Sequence, residues 1–446
     1  MTKKYDIIII GGGPAGIFAA LELSQIADLS ILLIEKGEDI DKRSNLVCGL
    51  GGAGAYSDGK LTLSPQVGGR LLEYLGKDDT QALIKYVDEI YLKFGAPNQL
   101  YGVGDEIDRI SHQASLFGLR LIPVPLRHLG TERCRSVLRE MRDYLISRLK
   151  LKLETAASSI IVDSGKLKGI ETNSGERFDC DYLILAPGRE GADWLLTQAK
   201  ILNLTIHNNP VDVGVRVEVP VAVMEKLTSV LYEAKLEFFS RSFDDRIRTF
   251  CMCPSGEVTM ETTGGADPVI TVNGHSYANL NSSNTNFALL VSTDFTEPFR
   301  EPIAYGKYLA RLANILSGGV LVQRLGDLMG GHRSTTTRIE RGIVRPTLKE
   351  ATPGDLSFVL PYRHLTGVLE MLKAIDKLAP GVADKNTLLY GVEVKFYSFR
   401  PHLSPSLETE VSNIFAAGDG AGVSRGLVQA SASGVVVARE ILRRSR

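Results

Sequence analysis

The chain has 446 residues, 51 basic against 52 acidic, and a hydrophobic content of 44%. That length exceeds one small core, so two domains are expected, and the balanced charge points to neither nucleic acid nor an acidic membrane surface as partner. No apolar run approaches the ~18 residues of a membrane helix, and five cysteines in so long a chain make no disulfide framework, so a cytoplasmic protein is expected.

Tyr5-Asp6-Ile7-Ile8-Ile9-Ile10 is a short apolar run, the length of a buried strand. It leads into Gly11-Gly12-Gly13-Pro14-Ala15-Gly16 and then into a segment of helical composition, 17–23. Gly11, Gly13 and Gly16 have the G-x-G-x-x-G spacing, which serves a tight turn, close approach of a pyrophosphate, and close packing of helix on strand. The new helix would face the phosphates with its free amides and positive end. A second apolar run, 29–34, ends in Glu35, near the ~20-residue offset of a carboxylate that grips a ribose. Lys36 follows it, and Arg43 closes a polar turn. Both are candidate cofactor contacts, and a solvated surface arginine is an equal reading of Arg43.

Cys48 then opens a glycine-rich run, Gly49-Leu50-Gly51-Gly52-Ala53-Gly54-Ala55-Tyr56-Ser57-Asp58-Gly59-Lys60. Glycine is unfavourable in both helix and central strand, so the run predicts backbone laid against something flat or charged. Asp78-Asp79 predicts a helix cap, with Leu83, Val87, Ile90 and Phe94 as the apolar stripe and Gly95 and Pro97 as the stop. Residues 119–124 contain Pro123 and predict an edge strand. From Thr131 an amphipathic helix is expected to have Cys134, Val137, Leu138, Met141, Tyr144, Leu145 and Leu149 on one face, leaving Arg133, Arg135, Arg139 and Arg142 as a solvated face.

Three short β runs at 159–162, 167–172 and 177–178, joined by Ser164-Gly165 and Asn173-Ser174-Gly175, predict a meander. A separate buried strand at 181–186 ends in Pro187-Gly188. From about Asn203 to Tyr397 isolated strands, loops and aromatic residues dominate, with helices expected at 305–316 and 365–378. The first pattern then returns: a small-residue strand at 413–417, Gly418-Asp419-Gly420, and a final helix from Gly426-Leu427.

These four pieces, in this order, resemble the FAD-binding fold of the glutathione-reductase superfamily: Gly11–Gly16 with Glu35, the meander, Leu185-Ala186-Pro187-Gly188, and Ala417-Gly418-Asp419-Gly420. More narrowly the chain resembles the little-characterised FAD-dependent dehydrogenases of bacteria and archaea. The run from Gly51 to Leu61, Phe250-Cys251-Met252-Cys253-Pro254-Ser255-Gly256 and Gly418-Asp419-Gly420-Ala421-Gly422 carry that likeness. Relatives in that group often have Gly-Glu where this chain has Gly418-Asp419, and both are acidic acceptors. The resemblance implies an α/β glutathione-reductase-like Rossmann FAD-binding domain with a β-meander, at 1–202 and 398–446, and an inserted α+β substrate domain at 203–397. It also implies FAD as cofactor, with Asp419 on the ribityl chain. The glycines 52 and 54 with Ala53, together with Pro187, Gly188, Gly426 and Leu427, are expected to line the cofactor.

The expected function is hydride transfer between bound flavin and a small, anionic or unsaturated substrate, with NAD(P)H as a candidate donor and the redox partner open. Lys60, Cys48, His332 and Arg333 are the candidate catalytic residues. Lys60 has a solvent-exposed lysine as its other reading. Cys48 lacks the nearby second thiol that disulfide reductases use. His332 and Arg333 belong to Gly330-Gly331-His332-Arg333-Ser334-Thr335-Thr336-Thr337-Arg338-Ile339-Glu340-Arg341, a cluster of arginine forks and hydroxyls suited to carboxylate or phosphate. A solvated loop is the other reading of that cluster. Cys251-x-Cys253 is either redox-active or two buried structural cysteines. With no second pair in sequence, no zinc site is expected. The alternatives carried are a thiol-linked flavoprotein using Cys251 and Cys253, and a lipid-reductase-like flavoprotein.

Overall fold

The computed structural model describes residues 3–26, 28–43, 45, 48–57, 59–207, 209–263, 267–276, 282–293, 301–395 and 399–445. Asp58 of the glycine-rich run lies outside them. The chain forms two compact units: Met1–Gln99, Arg127–Asn209 and Ser398–Arg446 in one, Leu100–Leu126 and Pro210–Tyr397 in the other. Residues 100–126, inside the expected 1–202 segment, thus group with the second unit.

The first unit is built on a seven-stranded sheet. Lys3–Ile10 lies at its centre, parallel to Ile31–Ile34 on one side and to Arg177–Leu185 on the other. Ile7, Ile8 and Ile9 are wholly buried, as strands covered on both faces must be. The final meander run and the strand expected at 181–186 are one strand, Arg177–Leu185, rather than two. Its first half pairs antiparallel with Lys166–Thr172, through Ile170↔Phe178. Its second half pairs parallel with Ile414–Ala416, through Ile414↔Leu183. Asp179 and Asp181 interrupt the apolar pattern, but parallel pairing with Lys3–Ile10 continues along the whole strand.

Helices follow the expected positions with altered ends. Lys77–Lys93 is capped by Gly76, and Asp78 and Asp79 fall inside its first turn, where they complement the helix dipole instead of capping. Its buried face is Thr80, Leu83, Ile84, Val87, Asp88 and Tyr91, so Ile90 and Phe94 lie at the margin. Thr131–Ile146 buries Cys134, Val137, Leu138, Met141 and Leu145. Its arginines are not all a solvated face: Arg142 pairs with Asp39 and Asp41, and Arg139 with Asp41 at 2.6 Å, fastening the helix to the turn after Glu35. The glycine-rich run is partly helical after all, with one 3₁₀ turn at Gly52–Tyr56.

The second unit has far more sheet than the isolated strands expected from its sequence. Eight strands run in the order Thr352–Pro353, Leu321–Arg324, Leu388–Lys395, Val211–Pro220, Asn284–Thr293, Arg246–Cys253, Leu236–Phe239, Leu119–Leu121. The expected edge strand from residues 119–124 is the last of them. Along Val211–Pro220 the five valines at odd positions share one face, and Asp212, Gly214, Arg216 and Glu218 share the other. The valines join a core with Met371, Leu372 and Ile375 of the helix Tyr362–Leu378. On the polar face lies the hairpin of Glu257–Thr263 and Val269–His275, where a Cβ on Gly274 would fall 1.8 Å from Arg216 Nη1.

Candidate functional site

The site of the first unit forms where the first strand meets the helix Pro14–Leu23. Gly11 has a left-handed φ of 105°, and a Cβ there would sit 2.0 Å from the Ala186 carbonyl oxygen. A Cβ on Gly16 would sit 1.9 Å from the Gly11 carbonyl oxygen, so the helix rests directly on the turn. No side chain caps the helix at Gly13, and Pro14 occupies its first turn, where a missing N–H costs nothing. The first-turn amides and the positive helix end are therefore available to an anion.

The later motifs converge on the same place. A Cβ on Gly418 would approach the Ala15 Cβ to 3.0 Å, and one on Gly420 would approach the Gly188 carbonyl oxygen to 2.2 Å. Gly191 N donates to the Pro187 carbonyl at 3.2 Å, turning the chain after the Arg177–Leu185 strand. The glycine-rich loop comes to the same helix start: a Cβ on Gly52 would stand 3.0 Å from Gly13 Cα. One on Gly54 would stand 2.9 Å from Leu427 Cδ2 and 3.2 Å from Pro14 Cγ. Gly51 N donates to the Gly12 carbonyl at 2.8 Å, and Ala53 lies within the 3₁₀ turn. Gly426 begins the final helix, Leu427–Arg444, in an extended conformation with no side-chain cap. Beside Gly188 a Cβ would meet nothing within 4 Å, and beside Gly13 only Gly52 Cα at 3.8 Å, so backbone is open to close approach there.

Glu35 ends the second strand with its carboxylate buried. Oε2 accepts from Gly12 N at 2.8 Å, and Oε1 from Gly37 N at 2.9 Å and Gly49 N at 3.1 Å. One side chain thus binds three loops together beside the G-x-G-x-x-G turn. Arg43 is buried rather than solvated. Its guanidinium donates to the carbonyls of Asn45, Gly49, Leu50 and Gly52, at 2.8–3.2 Å, and lies 5.0 Å from the Tyr56 ring centre. It shapes the glycine-rich loop. Lys36 turns to Glu190 at 3.4 Å. Asp419 accepts from Ser424 Oγ at 2.6 Å and lies 4.0 Å from Arg189 Nε.

The four candidate catalytic residues divide between the units. In the first, Cys48 Sγ lies 4.0 Å from Glu35 Oε1, and burial, followed by the Glu35 charge, pushes its thiol up, away from the reactive thiolate. Lys60 is half-buried at the start of Lys60–Thr62. In the second unit, His332 and Arg333 are exposed on a loop with a pinned base. Asp327 Oδ2 accepts from the buried Ser334 Oγ at 2.7 Å, and Oδ1 from Arg338 at 2.7 Å. Arg345 Nη1 donates to the Glu340 carbonyl at 2.7 Å.

Two positions that hold the site together were missed from sequence. A Cβ on Gly434 would stand 2.0 Å from the Ala15 carbonyl oxygen, and Ser433 Oγ accepts from Gly418 N at 2.9 Å. The signal was present as the small-residue run Ala430-Ser431-Ala432-Ser433-Gly434 in the final helix. The open backbone beside Gly13 and Gly188, the uncapped helix start and the carboxylate at the second strand fit a bound dinucleotide.

Sequence comparison agrees with this geometry. Residues 6–67 match the family described as FAD binding domain, and residues 210–396 match FAD-dependent protein, C-terminal domain-like. This chain carries an FAD-binding domain and the C-terminal-type domain of an FAD-dependent protein. Residues 349–446 of the flavoprotein also match the family described as Glucose inhibited division protein A. The flavoprotein is 29% identical, over 478 residues, to an uncharacterized protein of Clostridium beijerinckii, spanning 98% of this chain and 80% of that one. Among solved structures it is similar to L-proline dehydrogenase from P. horikoshii, at 14% identity and a TM-score of 0.46 over 100% of this chain and 95% of that one. It is also similar to glycine oxidase from Geobacillus kaustophilus, at 13% identity and a TM-score of 0.44 over 99% and 95%. The FAD-binding unit has the expected mixed α/β, Rossmann-like fold. No helix among the described residues is long and apolar enough to cross a membrane.

Proposed function

We propose that the flavoprotein transfers a hydride between bound FAD and a small anionic substrate, and that it does so in the reducing cytoplasm. FAD supplies a two-electron carrier, while the protein supplies position and electrostatics. Gly11, Gly13 and Gly16 let backbone approach the pyrophosphate, Glu35 takes the ribose, and Asp419 takes the ribityl chain. The start of the Leu427–Arg444 helix offers uncapped amides and a positive end to charge developing on the ring. Lys60 closes the loop that covers this end of the site.

The observation that carries the substrate class is the loop at His332 and Arg333. Asp327 engages Ser334 and Arg338, which fixes the loop base and leaves His332 and Arg333 exposed. A guanidinium held on a fixed base suits the planar fork of a carboxylate. The test is anaerobic bleaching of the flavin band near ~450 nm. NADH and NADPH are tried as donors, and a panel of carboxylic acids is tried beside their neutral amides and methyl esters. Acids should react with the flavin at least tenfold faster than their neutral partners. Equal rates for acid and ester would reject the anionic reading while leaving FAD chemistry in place.

A further inference from the structure

The sheet of the second unit is irregular in two of its pairings, Val211–Pro220 with Leu388–Lys395 and Arg246–Cys253 with Asn284–Thr293. Arg246–Cys253 pairs with Asn284–Thr293 through Phe250↔Ala288 and next through Cys253↔Asn286. Three steps on one strand meet two on the other, and the extra residue makes a bulge. Cys251 sits in that bulge at φ 45°, in the left-handed region that residues other than glycine seldom occupy. In a regular strand, residues i and i+2 share a face roughly 6.6–6.8 Å apart. Here the Cys251 and Cys253 sulfurs are 4.0 Å apart. Cys253 is fully buried and Cys251 is partly open to solvent.

Charge is arranged around this pair. Arg216, wholly buried, donates from Nη1 to the Cys251 carbonyl at 3.1 Å and from Nε to Glu393 at 2.8 Å. Lys395 reaches the same carboxylate at 3.0 Å, so two cations share one anion. Both sulfurs lie near enough to Arg216 to interact with its charge. Glu233, which accepts from Met252 N at 3.2 Å, is matched by Lys235. Three cations, Arg216, Lys395 and Lys235, are thus paired with two carboxylates, Glu393 and Glu233, beside the two cysteines. Cysteines kept for packing alone need no left-handed bulge that brings their sulfurs together.

We propose that Cys251 and Cys253 form a reversible dithiol–disulfide pair, a redox site within the second unit that is oxidised by small disulfides of the glutathione class. The Cys251 thiolate attacks one sulfur of the small disulfide; an S–S bond forms as the original one breaks, and one small thiol leaves with a proton from solvent. The Cys253 thiolate then attacks the Cys251 sulfur, expelling the second small thiol. Two protein thiols and one small disulfide give one protein disulfide and two small thiols, and two electrons pass from the protein to the oxidant. Closing the sulfurs to bonding distance needs about 2 Å of approach. A ring spanning only three residues is strained, so the bond is readily reduced again and acts as a switch. This site stands whether or not the anionic substrate reading holds.

The test exposes the full-length, FAD-loaded protein to oxidised glutathione, denatures it, alkylates the remaining thiols with iodoacetamide, and maps the peptides by mass. The peptide containing residues 251–253 should lose two hydrogens and take no label, and dithiothreitol should restore both. Cys48, Cys134 and Cys180 report separately on their own peptides. With Cys253→Ser, one glutathione should accumulate on Cys251. Full alkylation of both cysteines in the wild-type protein after treatment, or glutathione that stays on Cys251 while Cys253 is alkylated, would overturn the proposal. The wild-type map decides the matter alone if the variant does not fold.

Discussion

A β-carbon on Gly434 would stand 2.0 Å from the carbonyl oxygen of Ala15, which puts the final helix in backbone contact with the helix that opens the FAD site. Two opposed effects therefore meet in Gly434→Ala. Helix propensity gains about 0.8–1 kcal/mol. Overpacking against backbone costs roughly 1–3 kcal/mol or more. The clash wins, because no flexible side chain is there to move aside. Gly434→Ala should lower the urea midpoint of the apoprotein and reduce the flavin retained on purification. A variant of wild-type stability and flavin content would show that the helices slide apart freely.

Glu35 makes a comparable prediction. Its carboxylate accepts from three backbone amides. Glu35→Ala leaves those donors short of an acceptor in a largely buried place, at roughly 1–3 kcal/mol for each one left unsatisfied. The apoprotein should melt earlier, and FAD titration should show weaker binding as the proposed ribose contact is lost. Glu35→Gln retains an acceptor oxygen and should lose less stability. Unchanged apoprotein melting in Glu35→Ala would mean that water replaces the carboxylate at all three amides.

His364 predicts an acid-side loss of stability. It is buried in the second unit with Nε2 at 2.9 Å from Thr293 Oγ1, and burial depresses it from 6.5 to about 4. As pH falls below 6.5, the unfolded chain takes up a proton that the native chain refuses until about pH 4, so stability rises with pH across this window. The full cost is roughly 3 kcal/mol at the acid end. Urea unfolding of wild type and His364→Asn between pH 4 and 7 should show a shallower slope in the variant. Identical slopes would place the acid sensitivity elsewhere.

Arg333→Ala should slow substrate-dependent flavin reduction more than tenfold while FAD content stays unchanged, and Arg333→Lys should recover part of the rate, since lysine keeps the charge without the fork. Arg338→Ala should act differently: it removes one of the partners of Asp327, Ser334 being another, and should loosen the loop base. Wild-type rates with Arg333→Ala on the identified substrate would reduce the loop to an ordinary surface feature.

The parts of this protein that were legible in sequence are those specified over short stretches. An apolar strand, a glycine turn and a helix follow one another between residues 5 and 23, and each residue type does its work on its neighbours. Arg43 was ambiguous because its partners are backbone carbonyls, which no side-chain pattern reveals. Arg177–Leu185 looked like two strands because Asp179 and Asp181 break its apolar run, while its continuity comes from a distant parallel neighbour. The sheet of the second unit was hidden for a related reason. Arg216, Glu218 and Glu393 are buried charges in central strands, and apart from Lys395 beside Glu393 their side-chain partners lie 66 to 177 positions away. The closeness of Cys251 and Cys253 depends on a bulge that arises from register with Asn284–Thr293.

The strand Arg177–Leu185 also bears on how the chain is made. It needs Lys3–Ile10 on one side and Ile414–Ala416 on the other. During synthesis, at about 5–20 residues per second, the first two segments of the FAD-binding unit emerge well before the last. Residues 210–397 are all available before Ile414 leaves the ribosome, so the inserted unit has its complete set of strands first. Until then the edge of Leu183–Leu185 stays unpaired and exposed to strands of neighbouring nascent chains. Cofactor capture is therefore among the last events in maturation, and a translational pause shortly before residue 414 would prolong the aggregation-prone interval.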